Sequence, residues 1–540
     1  MSSYKTKLKQ ENFEDVNLFL KEALAQLGMQ ENTPQENLLI CEELFIRACM
    51  QNIERDADVI ISVERRLGDI SITFQFDGDR FIVDLDRLSN RDPGSLILNH
   101  YKEKIYTNYR RGINFVSVSA RRTNYKSFVL YAGAAALAVV LAIVLHLVGD
   151  TALRTTISEK ILYPIESLFG NAMRIISAPI VLFSMIMNLS TVYTFVDRRY
   201  ETGRTILRLI FASILAILIG FVPFLVYRLL SLDLRQTFMP VYLSEKLDAT
   251  MLLTIFNDLV PPTLSGIFTS MTPFPLLLLS FVSAEAVCLS GKYFDTIKSV
   301  TDAIYTFLCK VLYIIMLFLP LAFFVSVLHE LLTNDVVSIL YNYGICILAA
   351  LLGLVLLFSM SALRIRFRGG KPVTFLHAVL PAMAVNLKIN STIDAVPYNI
   401  RFCAKTFGIP TERLRVNLPI LAQISQTGNC FFLTLITLSL ALLIDVPLTP
   451  AASFVLALMI FSLAVGAPGQ PGGIMIGMLL MLSFLNLDLS EFLPIIIIAE
   501  VLFGSISTFI NTMDDIEEVY LDSLPKKLLP KRLHRGKESA

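Results

Sequence analysis

The sequence predicts a multi-span α-helical membrane protein with a small α/β sandwich domain at its N-terminus. Hydrophobic residues make up 54% of the 540 residues, and the mean hydropathy is +0.63, which is too apolar for a soluble enzyme. Apolar runs of roughly 20 residues, enough to cross a bilayer, begin near Phe128 and recur to residue 523. Residues 1–125 instead carry many charges and short alternating segments.

Charge and cysteine usage exclude several functional classes. The net charge of +1 gives no sign of a nucleic-acid partner. The seven cysteines are scattered without CxxC spacing, which argues against a disulfide framework. The charged, amphipathic start does not resemble a signal peptide, so we expect the N-terminal domain to remain in the cytoplasm.

The N-terminal domain is predicted to contain two helices followed by a hairpin, a further strand, a helix and a last strand. Such a mixture suggests a layered sandwich. The predicted strands are 56–66, 69–76, 81–85 and 112–120, and the later helix is 94–107.

The membrane part is predicted to cover 126–523, followed by a basic tail at 524–540. Basic residues lie before the first span, after the second, before the fifth and after the sixth. By the positive-inside rule, both termini are expected in the cytoplasm. The predicted first six spans are 128–148, 161–192, 205–230, a composite region at 238–290, 297–328 and 336–363.

Polar or glycine-rich breaks interrupt the apolar helices of the last third of the chain. Irregular backbone at membrane depth is tolerated only where it is buried in protein or lines a cavity. Paired broken segments indicate the binding site of a transporter. The breaks are 390–397, 425–429, 466–473 and 508–515, and the first and third lie in hairpins at about 375–405 and 450–485.

Three stretches of the membrane part resemble the dicarboxylate/amino acid:cation symporters, the glutamate-transporter family. They are Phe169, the run Met-Arg-Ile-Ile-Ser-Ala-Pro-Ile-Val at 173–181, and Ala-Ile-Leu-Ile-Gly at 216–220. The resemblance extends over about 126–523 in the family's order of elements. It implies eight spans, two re-entrant hairpins, an elevator-type motion, possible sodium coupling and a homotrimer.

The resemblance also implies candidate site residues. Hydroxyls and backbone amides at hairpin tips can hold an anionic group, while oxygen ligands suit sodium. Buried ionisable residues are additional candidates. The solute-binding set is Ser391, Thr392, Asp394, Gly466, Gly469, Glu500, Thr508 and Asn511, and the cation set is Asn511, Asp515, Ser425 and Thr427.

Several departures from the family pattern bear on the solute. Ser-Gln-Thr-Gly-Asn at 425–429 replaces Asn-Met-Asp-Gly-Thr, so Thr427 stands in place of a carboxylate. Gly504 and Ser507 replace the aspartate and arginine that read an acidic amino acid. We therefore expect a small organic solute other than aspartate or glutamate. Asp394 could contact solute or lie at a solvated tip, and Glu500 could serve the cavity or a structural pair.

The N-terminal domain resembles the serine-kinase/anti-sigma branch of the histidine-kinase-like ATPases. The resemblance lies in a helix carrying Glu43, a nucleotide box with Asp77 and Gly78, and a closing motif at 109–115. Arg47 replaces the metal-orienting asparagine and Phe76 the adenine-reading aspartate. Because Mg-dependent phosphoryl transfer needs such groups, ATP binding is not expected. A degenerate domain for binding or assembly, with a cytoplasmic protein partner, is the preferred interpretation.

Three functional hypotheses follow. The first is a sodium-coupled secondary transporter in the plasma membrane, which is not an enzyme. The alternative is a transporter-like receptor that signals through the N-terminal domain. The third is an active kinase with a membrane sensor, against which Arg47 and Phe76 argue.

Overall fold

The architecture is taken from a computed structural model. It describes residues 2–27, 34–51, 57–66, 69–78, 81, 98, 105–110, 112–120, 127–196, 200–229, 260, 263, 267–268, 273–443, 449–467, 469–484 and 489–524.

A five-stranded antiparallel sheet forms the centre of the N-terminal domain. Its strands run in the order β1-β2-β3-β5-β4, and two helices pack against it. Alternate residues such as Val59, Ile72 and Val118 are buried between sheet and helices. The strands are β1 Ser2–Lys7, β2 Asp58–Arg66, β3 Asp69–Asp77, β4 Ile105–Arg110 and β5 Ile113–Ala120, and the helices are α1 Phe13–Gln26 and α2 Pro34–Gln51.

The predictions for this domain are confirmed in part. The strands predicted at 56–66, 69–76 and 112–120 correspond to β2, β3 and β5. The predicted helix 94–107 is wrong at its end, because residues from Ile105 onward pair with β5 as β4. The sequence analysis also missed β1, whose polar residues alternate between half-buried and exposed. Most of 81–85 and 94–104 lies outside the described residues.

The rest of the described chain is helical. The first helices are α3 Ser127–Val148, α4 Thr151–Ile157, α5 Tyr163–Val196, α6 Tyr200–Leu229, α7 Pro273–Cys288, α8 Phe294–Met316, α9 Leu319–Thr333 and α10 Val336–Phe367. The last are α11 Pro372–Ile389, α12 Thr392–Phe407, α13 Thr411–Ile424, α14 Thr427–Leu443, α15 Pro450–Gly466, α16 Gly473–Phe484 and α17 Leu489–Ser523.

Seven of the described helical segments are long and apolar enough to cross a membrane. Five further apolar helices among the described residues are shorter, at 10–17 residues, namely α7, α9, α11, α15 and α16. The predicted span 297–328 is interrupted between α8 and α9. The described part of the composite region 238–290 is mainly α7.

The helices form two packed groups. In the first, α5 contacts α7 and α8, and α3 contacts α9. In the second, α17 contacts α11, α12, α13, α14 and α16, and α6 packs along α14. The groups meet where α9 contacts α17 and where α5 contacts α15 and α16. The second group contains both hairpins and the broken helix.

The predicted break at 508–515 is wrong, because α17 is continuous from Leu489 to Ser523. Polar residues in this stretch are buried without breaking the helix, since their side chains find partners on neighbouring helices. Asn511 accepts a hydrogen bond from the Gly428 amide, and Asp514 accepts one from Thr427.

Candidate functional site

The first hairpin turns over only two residues. Asn390 follows α11 in the left-handed region (φ 52°), which asparagine tolerates better than most residues. Ser391 then caps α12, because its Oγ accepts a hydrogen bond from the Asp394 amide at 3.2 Å. The predicted break at 390–397 is therefore shorter than expected, and Pro397 lies inside α12.

Hydrogen bonds join the tips of the two hairpins. The carbonyl oxygen of Gly469 accepts from Ser391 Oγ at 3.1 Å and lies 3.3 Å from Thr392 Oγ1, whose single proton has a closer acceptor in the Ala422 carbonyl at 2.9 Å. A Cβ atom at Gly469 would lie 2.5 Å from Thr392 Oγ1, so a glycine is needed for this approach. Asn390 Oδ1 also accepts a hydrogen bond from Thr508 of α17 at 3.3 Å. The tips thus close over α17.

Helix α17 accepts hydrogen bonds from residues at the break between α13 and α14. Helix α13 ends at Ile424 and α14 begins at Thr427, so the break is narrower than the predicted 425–429. The Gly428 amide at the start of α14 donates to Asn511 Oδ1 at 2.7 Å. A side chain at Gly428 would clash with the carbonyl of Ser507. Asn511 therefore accepts a hydrogen bond from a backbone amide at the start of α14 that has no partner within the helix, and it does so where α14 contacts α17.

Two adjacent aspartates of α17 lie beside the break in different environments. Asp514 Oδ2 accepts hydrogen bonds from Thr427 Oγ1 at 2.6 Å and Ser425 Oγ at 3.3 Å. Asp515 is also buried, but its Oδ1 has no hydrogen-bond partner among the described residues. A buried carboxylate oxygen without a donor is costly unless a cation is nearby.

These residues fit a sodium ion. A hard cation needs oxygen ligands, and the unpaired Asp515 Oδ1 supplies one, while the same side chain is hydrogen-bonded to Ser425 at the break. Asn511 and Thr427, the other predicted cation ligands, already use their side chains in hydrogen bonds to Gly428 and Asp514. The cation would therefore depend on Asp515 more than on those two side chains.

Glu500 holds the second hairpin to α17. Its Oε1 accepts from the Gly472 amide at 2.8 Å and its Oε2 from the Met475 amide at 2.9 Å. Gly472 directly precedes α16 and Met475 lies in its first turn, where the helix dipole favours a negative group. Glu500 is buried and also lines the cavity between the tips.

A small cavity lies between the hairpin tips and α17. The space available to the centre of a water molecule is about 10 Å³, which is enough for roughly one water molecule. Glu500 is the one ionisable side chain among the described residues that line it. The lining consists of Thr392, Asn429, Gly469, Gln470, Pro471, Gly473, Ile474, Glu500, Gly504, Thr508 and Asn511.

The structure brings together most, but not all, of the predicted solute residues. Thr392, Gly469, Glu500, Thr508 and Asn511 line the cavity. Ser391 lies next to it through its bond to Gly469, whereas Gly466 and Asp394 are not part of the lining. A Cβ at Gly466 would approach Val181 of α5 instead.

The sequence analysis missed Asn429 and Asp514. Asn429 Oδ1 accepts a hydrogen bond from Ser507 Oγ at 2.5 Å, and its Nδ2 donates to Gln426 Oε1 at 2.6 Å. The position of Asn429 inside the broken motif was the available signal. The sequence gives no reason to choose Asp514 over its neighbour Asp515, because the two differ only in the face of α17 that they occupy.

Two arginines bind the acidic end of α17. Arg364 Nη1 donates to Asp514 Oδ1 at 2.6 Å and also pairs with Glu517 and Glu518. Arg208 Nε donates to Glu518 Oε2 at 2.7 Å. Charges buried this far from water need such partners. The network joins α6, α10 and α17, and through Asp514 it reaches the broken helix.

The three predicted nucleotide residues have different contacts within the described part of the domain. Glu43 is buried and pairs with Arg47, whose Nε lies 3.1 Å from Glu43 Oε1. Asp77 is exposed at the end of β3, and Gly78 lies in a turn bonded to Gly112. Phe76 packs edge-on against Phe81, with ring centroids 5.5 Å apart.

Comparison with known families decides the assignment of the membrane part. Residues 129–517, more than half of the chain, match the model of the sodium:dicarboxylate symporter family. The chain belongs to this family. The expected symporter resemblance is confirmed, whereas the match begins after the N-terminal sheet and says nothing of an ATPase-type domain.

Three curated relatives of this sodium:dicarboxylate symporter family member share 27% sequence identity or less with it. The L-cystine uptake protein TcyP of Bacillus licheniformis is 25% identical over 198 residues, 36% of this chain and 42% of the relative. TcyP of Bacillus subtilis is 27% identical over 116 residues, 22% of this chain and 25% of the relative. TcyP of Bacillus thuringiensis is 22% identical over 231 residues, 42% of this chain and 50% of the relative. The matched segments span half or less of these proteins.

Proposed function

We propose that the protein is a secondary transporter that binds a small organic solute between its two hairpin tips. The observation that carries the proposal is the cavity closed by the hydrogen bond of Ser391 to Gly469 and the close approach of Thr392 to the same residue. A cavity with room for roughly one water molecule is closed to solute, so the tips must separate for binding. Family membership supports the same activity.

The proposed solute is a zwitterionic amino acid of the L-cystine type. The lining offers Glu500 for an ammonium group, and hydroxyls and amides of Thr508, Asn429 and Asn511 for polar groups. Since the described lining contains no Arg or Lys, the net negative charge of aspartate would lack a counter-charge, whereas the two carboxylates of L-cystine are balanced by its own two ammonium groups. The relatives named L-cystine uptake proteins support this class of solute.

Sodium is the proposed coupling ion. Asp515 would hold the ion with its buried Oδ1, next to the break between α13 and α14. A bound sodium ion supplies positive charge at this break. Asn511 would then connect ion and solute, because it caps α14 beside the ion and lines the solute cavity.

The remaining features are proposed from the family and the charge pattern. The hairpins, α13, α14 and α17 would move as one body in an elevator-type motion. The protein would lie in the plasma membrane as a homotrimer with both termini in the cytoplasm. The N-terminal domain would act through contacts with protein rather than through ATP, because Glu43 is already engaged by Arg47.

Binding is tested by the melting temperature of the purified protein with L-cystine, L-aspartate and L-glutamate. A ligand that binds only the folded state raises the free energy of unfolding by about 2.7 kcal/mol at one hundred times its dissociation constant. We expect L-cystine to raise the melting temperature and the two acidic amino acids to leave it unchanged. A shift with L-aspartate and none with L-cystine would refute the proposed solute class.

A transporter-like receptor is the second candidate, favoured by one observation. Helix α2 of the N-terminal domain packs directly on α12 of the first hairpin, which gives the site a route to this domain. A receptor would bind solute, with a shift in melting temperature, but liposomes containing it would accumulate none. Net uptake therefore separates the two functions.

A further inference from the structure

Helix α2 is buried on two opposite faces. Within residues 37–45 only Glu42 is more than slightly exposed. Phe45 faces the sheet, since its ring lies 6.5 Å from that of Phe74 in β3. Glu43 lies about 200° around the helix from Phe45, at roughly 100° per residue. A helix buried all round must pack against a second body, and that body is the membrane part.

Charged pairs join α2 to the broken helix. Arg415 Nη1 of α13 donates to Glu43 Oε2 at 3.1 Å, and its Nη2 lies 3.6 Å from Glu42 Oε1. The side chains of Arg415 and Glu43 are 15% and 7% exposed. Because water screens this pair only weakly, loss of one partner leaves an uncompensated charge and is expected to disrupt the contact.

The apolar contact around this pair is continuous. Buried residues of α2, including Ile40 and Leu44, belong to the same hydrophobic cluster as Ile400 and Cys403 of α12. The cluster extends into α13 and the end of α17. The N-terminal domain therefore shares a core with the first hairpin, beyond the charged pairs.

The chain connects this domain to the other helix group. The N-terminal domain leads into α3, which packs on α9, whereas α2 packs on α12 of the hairpin group. A domain bound covalently to one group and docked on the other restrains their relative movement. The docked hairpin helix α12 is capped by Ser391, which donates a hydrogen bond to Gly469 of the second hairpin.

We propose that α2 is an intramolecular latch that restrains the first hairpin. The latch consists of the Glu43–Arg415 pair and the apolar contact of α2 with α12. Its release frees α12 and, on the basis of the proposed transport function, permits movement of the hairpin group. Glu43 acts in this latch as a docking residue, with Arg415 and Arg47 as its partners.

Hydrogen–deuterium exchange of the purified full-length protein, without any solute, tests the latch. The variant Arg415→Gln is expected to raise exchange roughly tenfold in both 34–51 and 392–407, since local opening becomes easier. Arg413→Gln is the matched control, because Arg413 is exposed on the same helix.

Equal exchange in the Arg415→Gln and Arg413→Gln variants would overturn the latch. Faster exchange in 34–51 alone would also overturn it, because the domain would then undock without releasing α12. If Arg415→Gln fails to fold, Glu43→Gln makes the same test from the other side of the contact. The assay contains no solute, so absence of L-cystine uptake would refute the proposed function and leave the result on the latch intact.

Discussion

Thr427 of the broken helix donates a 2.6 Å hydrogen bond to Asp514 of α17, which in turn accepts from Arg364 of α10. The family resemblance predicts a carboxylate at position 427, whereas Thr427 donates to a carboxylate of α17. Asp514 therefore links the break to the arginine network, while its neighbour Asp515 keeps an oxygen without a partner among the described residues.

Removing the Thr427 hydroxyl is expected to destabilise the protein. The variant Thr427→Val leaves a buried carboxylate oxygen short of a donor, which lowers the free energy of unfolding by about 1–3 kcal/mol. Thermal unfolding in detergent measures the change. Thr437→Val is the control, since Thr437 is buried in the same helix and its hydroxyl donates to the Met478 sulfur at 3.7 Å, a weaker bond. Equal losses in the two variants would contradict the role given to Thr427.

Asp515→Asn is expected to abolish stabilisation by sodium. The wild-type melting temperature should be higher in sodium chloride than in potassium or choline chloride, because the ion binds only the folded protein. The variant should melt at the same temperature in all three salts, whereas Asp295→Asn, at an exposed position of α8, should keep the difference. A sodium effect that survives in Asp515→Asn would place the ion elsewhere.

Glu500→Gln is expected to loosen the second hairpin. The amide side chain can accept one of the two hydrogen bonds from Gly472 and Met475, so one buried N–H loses its partner. Hydrogen exchange in 472–484 should rise roughly tenfold relative to wild type. Glu285→Gln, at an exposed position of α7, should leave this exchange unchanged. Unchanged exchange in Glu500→Gln would show that the hairpin is held by other contacts.

Gly469→Ala is expected to prevent full closure of the hairpin tips. Its Cβ would lie 2.5 Å from Thr392 Oγ1, a distance that side chains do not tolerate. Uptake of the transported solute should fall by roughly tenfold or more, because the closed state becomes inaccessible. At Gly344 of α10 a Cβ would meet nothing within 4 Å, so Gly344→Ala should retain uptake. Retained uptake in Gly469→Ala would separate transport from tip closure.

The sequence predicted where the hairpins and the broken helix lie better than it predicted the exact length of each helix interruption. Apolar length and the breaks near Asn390 and Ser425 identified the hairpins and the broken helix, because such interruptions are rare at membrane depth. The continuity of α17 through Asn511 could not be predicted, since it depends on hydrogen bonds from the Gly428 amide on another helix. Likewise, adjacent aspartates 514 and 515 differ only in the helix face they occupy.

The N-terminal domain shows a different limit. Alternating residues predicted β2 and β3, but β1 is polar and is held by its pairing with β2. The resemblance to an ATPase directed attention to Glu43 as a nucleotide residue. Its partner Arg415 lies 372 positions away in the chain, and no local sequence pattern predicts a contact over such a separation.

The central claim, that the cavity between the hairpins binds a transported solute, is tested most directly by uptake into liposomes. Purified protein would be reconstituted, given radiolabelled L-cystine outside, and supplied with an inward sodium gradient. We predict accumulation that exceeds protein-free liposomes, collapses without the gradient and falls in Thr508→Val, which removes a hydroxyl of the cavity lining. Binding of L-cystine without any accumulation, under every gradient, would contradict transport and favour the receptor function.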